Sequence, residues 1–142
     1  MLNVQSNEVG DFRVKTPSGT TYLDGSTTLN VGQWYFLYGI YDGANAKVYL
    51  NGSEDGTDIR TGNIESSGDA PVVLGRRRVY PSVDDRFFTG VIDEVHISNV
   101  ARTTNWMLTE FRNQSNPGNF YTVGSCFEQT TPQTSEWEEE FQ

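Results

Sequence analysis

Four short runs of strand-forming residues follow one another between Gly32 and Ile97, each closed by turn residues, and that order constrains the fold more than any other feature. The first, Trp34–Tyr41, ends at Asp42-Gly43. It is apolar or aromatic in both phases of the pleat, which suits a central sandwich strand covered on both sides. The second, Lys47–Leu50, directs Val48 and Leu50 to one face and stops at Asn51-Gly52. Both turn residues tolerate positive φ, so a tight hairpin is expected there. The third, Val72–Leu74 before Gly75, reads as a short buried strand. The fourth, Phe87–Ile97, is the longest. Ile92 sits in one phase and Val91, Val95 and Ile97 in the other, which predicts a two-sided strand or a bulge near Asp93.

The flanks extend the pattern. Leu2–Gln5 and Asp11–Lys15 alternate apolar and polar residues, and Ser18-Gly19 marks a turn toward Tyr22-Leu23. Residues 52–70 are rich in Gly, Ser and Asp and read as hairpin strands around Ile59 and Ile64. Arg76–Asp85 is a polar loop containing Pro81. Thr104–Arg112 is a helix that Thr103 or Thr104 can cap, with Trp106, Met107, Glu110 and Phe111 on one face. Asn116-Pro117-Gly118-Asn119 stops it and turns the chain into a last strand, Phe120–Val123. The tail from Thr130 is acidic. Ser135-Glu136-Trp137-Glu138 fits a capping box, and Trp137 and Phe141 share a helix face, whereas the acidity alone suits a disordered tail.

A chain of 142 residues fits one domain, and 13% aromatics with 14 glycines favour strands and tight turns. Its net charge of −9 repels phosphate backbones and anionic lipid, so neither nucleic acid nor a membrane surface is an expected partner. No apolar run is long enough to span a bilayer. A single cysteine, Cys126, excludes an intrachain disulfide, and no basic neighbour in sequence activates it. Met1–Glu8 has neither the basic region nor the apolar core of a signal peptide, so an export signal lies outside this sequence or the protein stays in the cell.

The words Trp34…Tyr41-Asp42-Gly43, Asn51-Gly52, Leu74-Gly75 and Gly90-Val91-Ile92-Asp93-Glu94-Val95 resemble the back half of a laminin G-like domain of the concanavalin A-like lectin/glucanase superfamily. The resemblance covers about residues 10–124, and Ala101–Trp106 through Phe120–Gly124 is similar to the tail of bacterial members. It implies an all-β, antiparallel jelly-roll sandwich over residues 1–125 with one short helix near its C-terminus, followed by an acidic tail, 126–142, able to dock as a helix. Members carry further strands ahead of the segment matching Asp11–Val14, so this domain is expected to be N-terminally shortened. Exposed sheet edges would follow, and a homodimer or a docked tail would cover them. The resemblance also implies a non-catalytic recognition module, for a polysaccharide or other glycan, at an extracellular or cell-surface location. A structural or assembly domain without a small ligand is the alternative.

The superfamily's enzymes carry Glu-x-Asp-x-x-Glu on one strand, which sets carboxylates in one cleft. No segment here fits, so no catalytic residues are expected. Asp93 and Glu94 are adjacent and would point to opposite faces of a strand, one of them as a buried, hydrogen-bonded carboxylate. Calcium is the only ion the resemblance brings in, with Asp42 and Asp93 as its candidate ligands. His96, the sole histidine, reads as an ordinary strand residue, and one His with one Cys makes zinc unpromising. Arg76, Arg77 and Arg78 form a local positive spot with Tyr80, Asp84, Asp85 and Phe87 beside it. These seven residues are the candidate ligand-binding set, suited to a sulfated or uronic glycan, though the arginines can equally pair with Asp84 and Asp85. Phe88 is expected in the core, and Trp34 and Trp106 are expected to be structural.

Overall fold

The computed structural model describes residues 2–4, 8–65, 72–79, 83–85, 87–120 and 124. β1 (Leu2–Val4), β2 (Val9–Thr16) and β3 (Gly19–Thr28) form one antiparallel sheet in that order. β4 (Leu37–Tyr41), β5 (Asn45–Leu50) and β6 (Ser53–Ile59) form a second. β7 (Arg77–Val79) and β8 (Val83–Asp85) form a separate hairpin, and α1 (Thr104–Ser115) and α2 (Pro117–Phe120) follow. The architecture is a mainly antiparallel β-sandwich with a short helix near the C-terminus, as the sequence implied.

Turn chemistry sets the registers. Asn51 and Gly52 both take positive φ, 50° and 82°, and close β5 onto β6 with Leu50 opposite Ser53. Gly19 (φ 126°) opens β3 opposite Thr16. With register fixed, alternation sends Val14 and Leu23 of the first sheet against Ala46 and Val48 of the second, and Phe12, Leu37 and Tyr41 pack around them. Beside this core, β3 and β6 are laced by polar bonds. Thr21 Oγ1 donates to Asp58 Oδ2 (2.8 Å), and Ser26 Oγ and Thr27 Oγ1 donate to Asp55 Oδ1 (3.0 and 2.6 Å). Thr103 caps α1 by accepting the Trp106 N–H at 3.3 Å. The helix buries Met107 to 1% exposure and lays Trp106 against Tyr38 (centroids 6.1 Å) and Phe111 against Phe36 (6.0 Å).

Several expectations need correction. Trp34 does not open a central strand. It is 68% exposed, the strand begins at Leu37, and β5 holds the centre of its sheet because it pairs on both sides. Residues 29–36 are instead held as a loop by side-chain hydrogen bonds. Ile64 and Val72–Leu74 lie outside any strand, and Ile64, Val72 and Leu74 are exposed. Arg76–Asp85 is not simply a loop, since the β7–β8 hairpin forms within it. Asn119 and Phe120 belong to α2, and 121–123 and the tail from Ser125 lie outside the described residues.

The largest difference is Phe87–Ile97, which is not a strand. Phe88 is 47% exposed rather than core, and Ile97 is 76% exposed. Strand-forming side chains make a strand only beside a partner edge, because unpaired N–H and C=O groups are better served by water. Phe88 N donates to Gly75 O (2.8 Å), and no ladder continues from it among the described residues. At Asp93-Glu94 the backbone turns out of extension, with Glu94 at φ 49° and its N–H bonded to Asp93 Oδ1 at 2.9 Å.

Candidate functional site

The β7–β8 hairpin organises most of the expected ligand-binding set. Its register sets Arg77 opposite Asp85 and Arg78 opposite Asp84, with Val79 opposite Val83 toward the turn. Each of these arginine positions thus faces an aspartate position across the ladder, the arrangement in which opposite charges support strand pairing. Arg76 and Phe87 lie just outside the two strands, at the open end of the hairpin, and both are exposed. There the backbone bond from Phe88 N to Gly75 O draws the two ends together. Tyr80 lies outside the described residues. The hairpin therefore offers a basic and aromatic end at Arg76 and Phe87, next to a ladder with its basic positions on β7 and its acidic positions on β8.

The two calcium candidates are not built as a metal site. Asp42 closes the β4–β5 turn. Its Oδ1 accepts the N–H groups of Ala44 (2.9 Å) and Asn45 (2.6 Å), and its Oδ2 accepts from Asn45 Nδ2 (3.4 Å). These backbone donors, Ala44 first, hold the carboxyl below its ordinary pKa. Asp93 belongs to the run before α1 and is committed to the turn at Glu94. Calcium takes roughly six to eight oxygen ligands. Two carboxylates already serving as turn acceptors do not supply that shell, and no group of three or more His, Cys, Asp or Glu gathers among the described residues. Among the described residues the buried carboxylate is Asp11, fully enclosed and bonded through Oδ2 to Arg13 Nε at 2.6 Å, rather than Asp93 or Glu94.

His96 holds a position that the sequence did not signal. Its Nδ1 lies 3.0 Å from Glu110 Oε2 of α1 and its Nε2 lies 3.6 Å from Glu94 Oε2. Only the fold brings residues 96 and 110 together. Both ring nitrogens face carboxylates, whereas a nucleophilic relay requires one to face a hydroxyl or thiol. The arrangement ties the exposed run to the helix. Near the C-terminal end of α1, Thr109, Arg112, Asn116 and Asn119 line an open, shallow cleft of about 480 Å³. No helix among the described residues is long and apolar enough to cross a membrane.

A family model described as the concanavalin A-like lectin/glucanases superfamily matches residues 1–106. No curated protein matches the sequence. Among solved structures, the chain is similar to an S-layer domain-containing protein from Clostridium thermocellum at 2.1 Å resolution. The likeness has a TM-score of 0.50 at 18% identity, and it covers 78% of this chain and 54% of that one. The chain thus spans about half the length of that structure, and the likeness is one of fold.

Proposed function

Because the chain belongs to the concanavalin A-like lectin/glucanases superfamily, we propose that it is a non-catalytic recognition module whose ligand is a carbohydrate. The observation that carries this reading is the extent of the match. Residues 1–106 take in both sheets, the β7–β8 hairpin and the exposed run to Ile97. Residues 1–125 form the module in this proposal, and 126–142 an appended acidic tail. An extracellular or cell-surface location goes with it, supported by the fold shared with a protein whose name includes an S-layer domain.

For an anionic glycan the contact surface is the hairpin, Arg76 to Phe87. Guanidinium groups grip sulfate or carboxylate in two-pronged fashion, and an exposed ring can take a sugar face. An array of sulfated, uronic and neutral glycans tests the reading. Binding to an anionic member should weaken as salt rises, and Arg77→Glu/Arg78→Glu should abolish it. If that variant binds every captured glycan as the parent does, the hairpin is not the contact.

A second reading has its own support. Phe88, Val91, Ile92, Val95 and Ile97 are exposed and lack strand partners among the described residues. Apolar surface of that kind marks places where another chain or domain packs. On this reading the domain assembles, as a homodimer or against a neighbouring domain, with Trp137 and Phe141 of the tail contributing. Light scattering at several concentrations, on the full chain and after deletion of Thr131–Gln142, separates it from the first. A soluble, folded monomer in both forms, about 16 kDa for the full chain and lighter after the deletion, removes the homodimer.

A further inference from the structure

Tryptophan is highly buried on average, yet Trp34 is 68% exposed. Its loop is firmly held. Leu29 N donates to Glu8 O at 2.6 Å at one end, and Phe36 and Asn51 bond twice at the other, Phe36 N to Asn51 Oδ1 (2.9 Å) and Asn51 N to Phe36 O (2.8 Å). Within the loop, Tyr35 Oη accepts the Asn30 N–H (2.9 Å) and donates to Gln33 Oε1 (3.0 Å). Gly32, at φ 79°, makes the turn, and a Cβ there would meet nothing within 4 Å, so the tip stands in open solvent. The indole is therefore presented from a backbone fastened on both sides.

Two other aromatic rings are covered by cations or rings. Arg13 covers Tyr22 at 5.0 Å, and Trp106 lies between Arg102 (5.0 Å) and Tyr38 (6.1 Å). Trp34 has no ring, cation or hydrogen-bond partner among the described residues. The polar side chains of its own loop are neutral. Residues 29–36 contain no charged side chain, while Asn30 and Gln33 are exposed amides and the bond from Tyr35 leaves Gln33 Nε2 free to donate. A flat apolar face in a loop whose exposed side-chain donors and acceptors are uncharged matches a sugar ring, which has a C–H face and a rim of hydroxyls.

We infer that Trp34, Asn30 and Gln33 form a binding site for a neutral saccharide, with the indole stacked on the C–H face of one ring and the amides bonded to its hydroxyls. This rests on the carbohydrate reading but assigns a different surface from the hairpin and a ligand of different charge. Its affinity should be nearly independent of salt, because no charge contact is present to be screened.

The probes are neutral hexasaccharides of β-glucose, xylose and mannose, with alginate and a sulfated galactan as anionic counterparts, titrated calorimetrically at low and high salt. The parent should bind at least one neutral probe equally at both salt levels. Trp34→Ala should weaken it about tenfold or more while melting within a degree or two of the parent, since little burial is lost. Asn30→Ala/Gln33→Ala should weaken it too, which keeps the test decisive if the tryptophan variant misfolds. Unchanged neutral binding by these variants overturns the site and leaves the carbohydrate reading standing. Parent binding confined to alginate or galactan does the same. Binding to no probe overturns both. A change of molecular mass in light scattering for Trp34→Ala assigns the indole to a contact between copies, and the site falls.

Discussion

Gly56 offers the sharpest check on the packing of the two sheets. It lies in β6 and faces the first sheet, where an added Cβ would stand 2.9 Å from Asp24 O, 3.2 Å from Val48 Cγ1 and 3.3 Å from Leu23 Cδ1. The nearest neighbour is backbone held in the β2–β3 ladder, Asp24 opposite Asp11, so it cannot rotate aside. It stands half an ångström inside ordinary contact at 3.4 Å, and the sheets must part over Leu23 and Val48 to admit a methyl group. Overpacking of this kind costs about 1–3 kcal/mol. Loss of unfolded-state freedom on replacing glycine offsets about 0.4–1 kcal/mol of that. Gly56→Ala should therefore destabilise by about 1–2 kcal/mol and lower Tm by roughly 3–8 °C in a domain of this size. Circular dichroism melting measures it, with Gly118→Ala as the control. At Gly118 the nearest atom is Asn116 Oδ1 at 4.0 Å and the residue is helical, so that variant should melt at or slightly above the parent. A Gly56→Ala protein melting at or above the parent would refute the close approach of β6 to β3.

Three further outcomes are expected. Met107→Ala should cost about 2–5 kcal/mol in denaturant unfolding, because Met107 is the buried residue of α1. Asp42 is held below its ordinary pKa by the Ala44 and Asn45 N–H groups, so its contribution is full above the unfolded value of 3.8 and is lost as pH falls through the folded value. Asp42→Ala should consequently be less stable than the parent near neutrality and flatten the acid limb of the stability curve. Incubation with laminarin or other β-glucans should release no reducing ends, and turnover that disappears in Glu94→Gln would show the carboxylates to be catalytic.

What the sequence made legible shares one property: the information is local. Asn51-Gly52 specifies its hairpin through positive φ at both residues, and Thr103 specifies the start of α1 by capping Trp106. β2 and β3 follow from alternation closed by Gly19. The β7–β8 hairpin has no local signal, because the sequence between its strands, residues 80–82, includes neither the glycine nor the asparagine that usually announces one. The bond of His96 to Glu110 spans fourteen positions and has no signature in either residue's neighbourhood. Trp34 misled for another reason. Aromatic content suggests burial, but the hydrogen bonds of Asn30, Gln33, Tyr35 and Asn51 decided the path of the loop.

The run from Phe87 to Ile97 shows why strand propensity is a conditional signal. Val, Ile and Phe favour a pleated, half-buried surface, and that preference has force only where a neighbouring edge exists. Here the exposed side chains retain the demand without the partner, while Asp93 and Glu94 use their own local bond to turn the chain. The two functional readings place opposite demands on salt. An anionic glycan on Arg76–Phe87 is held by charge and must leave as ionic strength rises. Two copies pressed together along Phe88–Ile97 must instead overcome repulsion between chains that each carry −9, so salt should strengthen their association. A neutral sugar on Trp34 should respond to neither. One salt series, followed by calorimetry and light scattering together, therefore assigns each surface by the sign of its response.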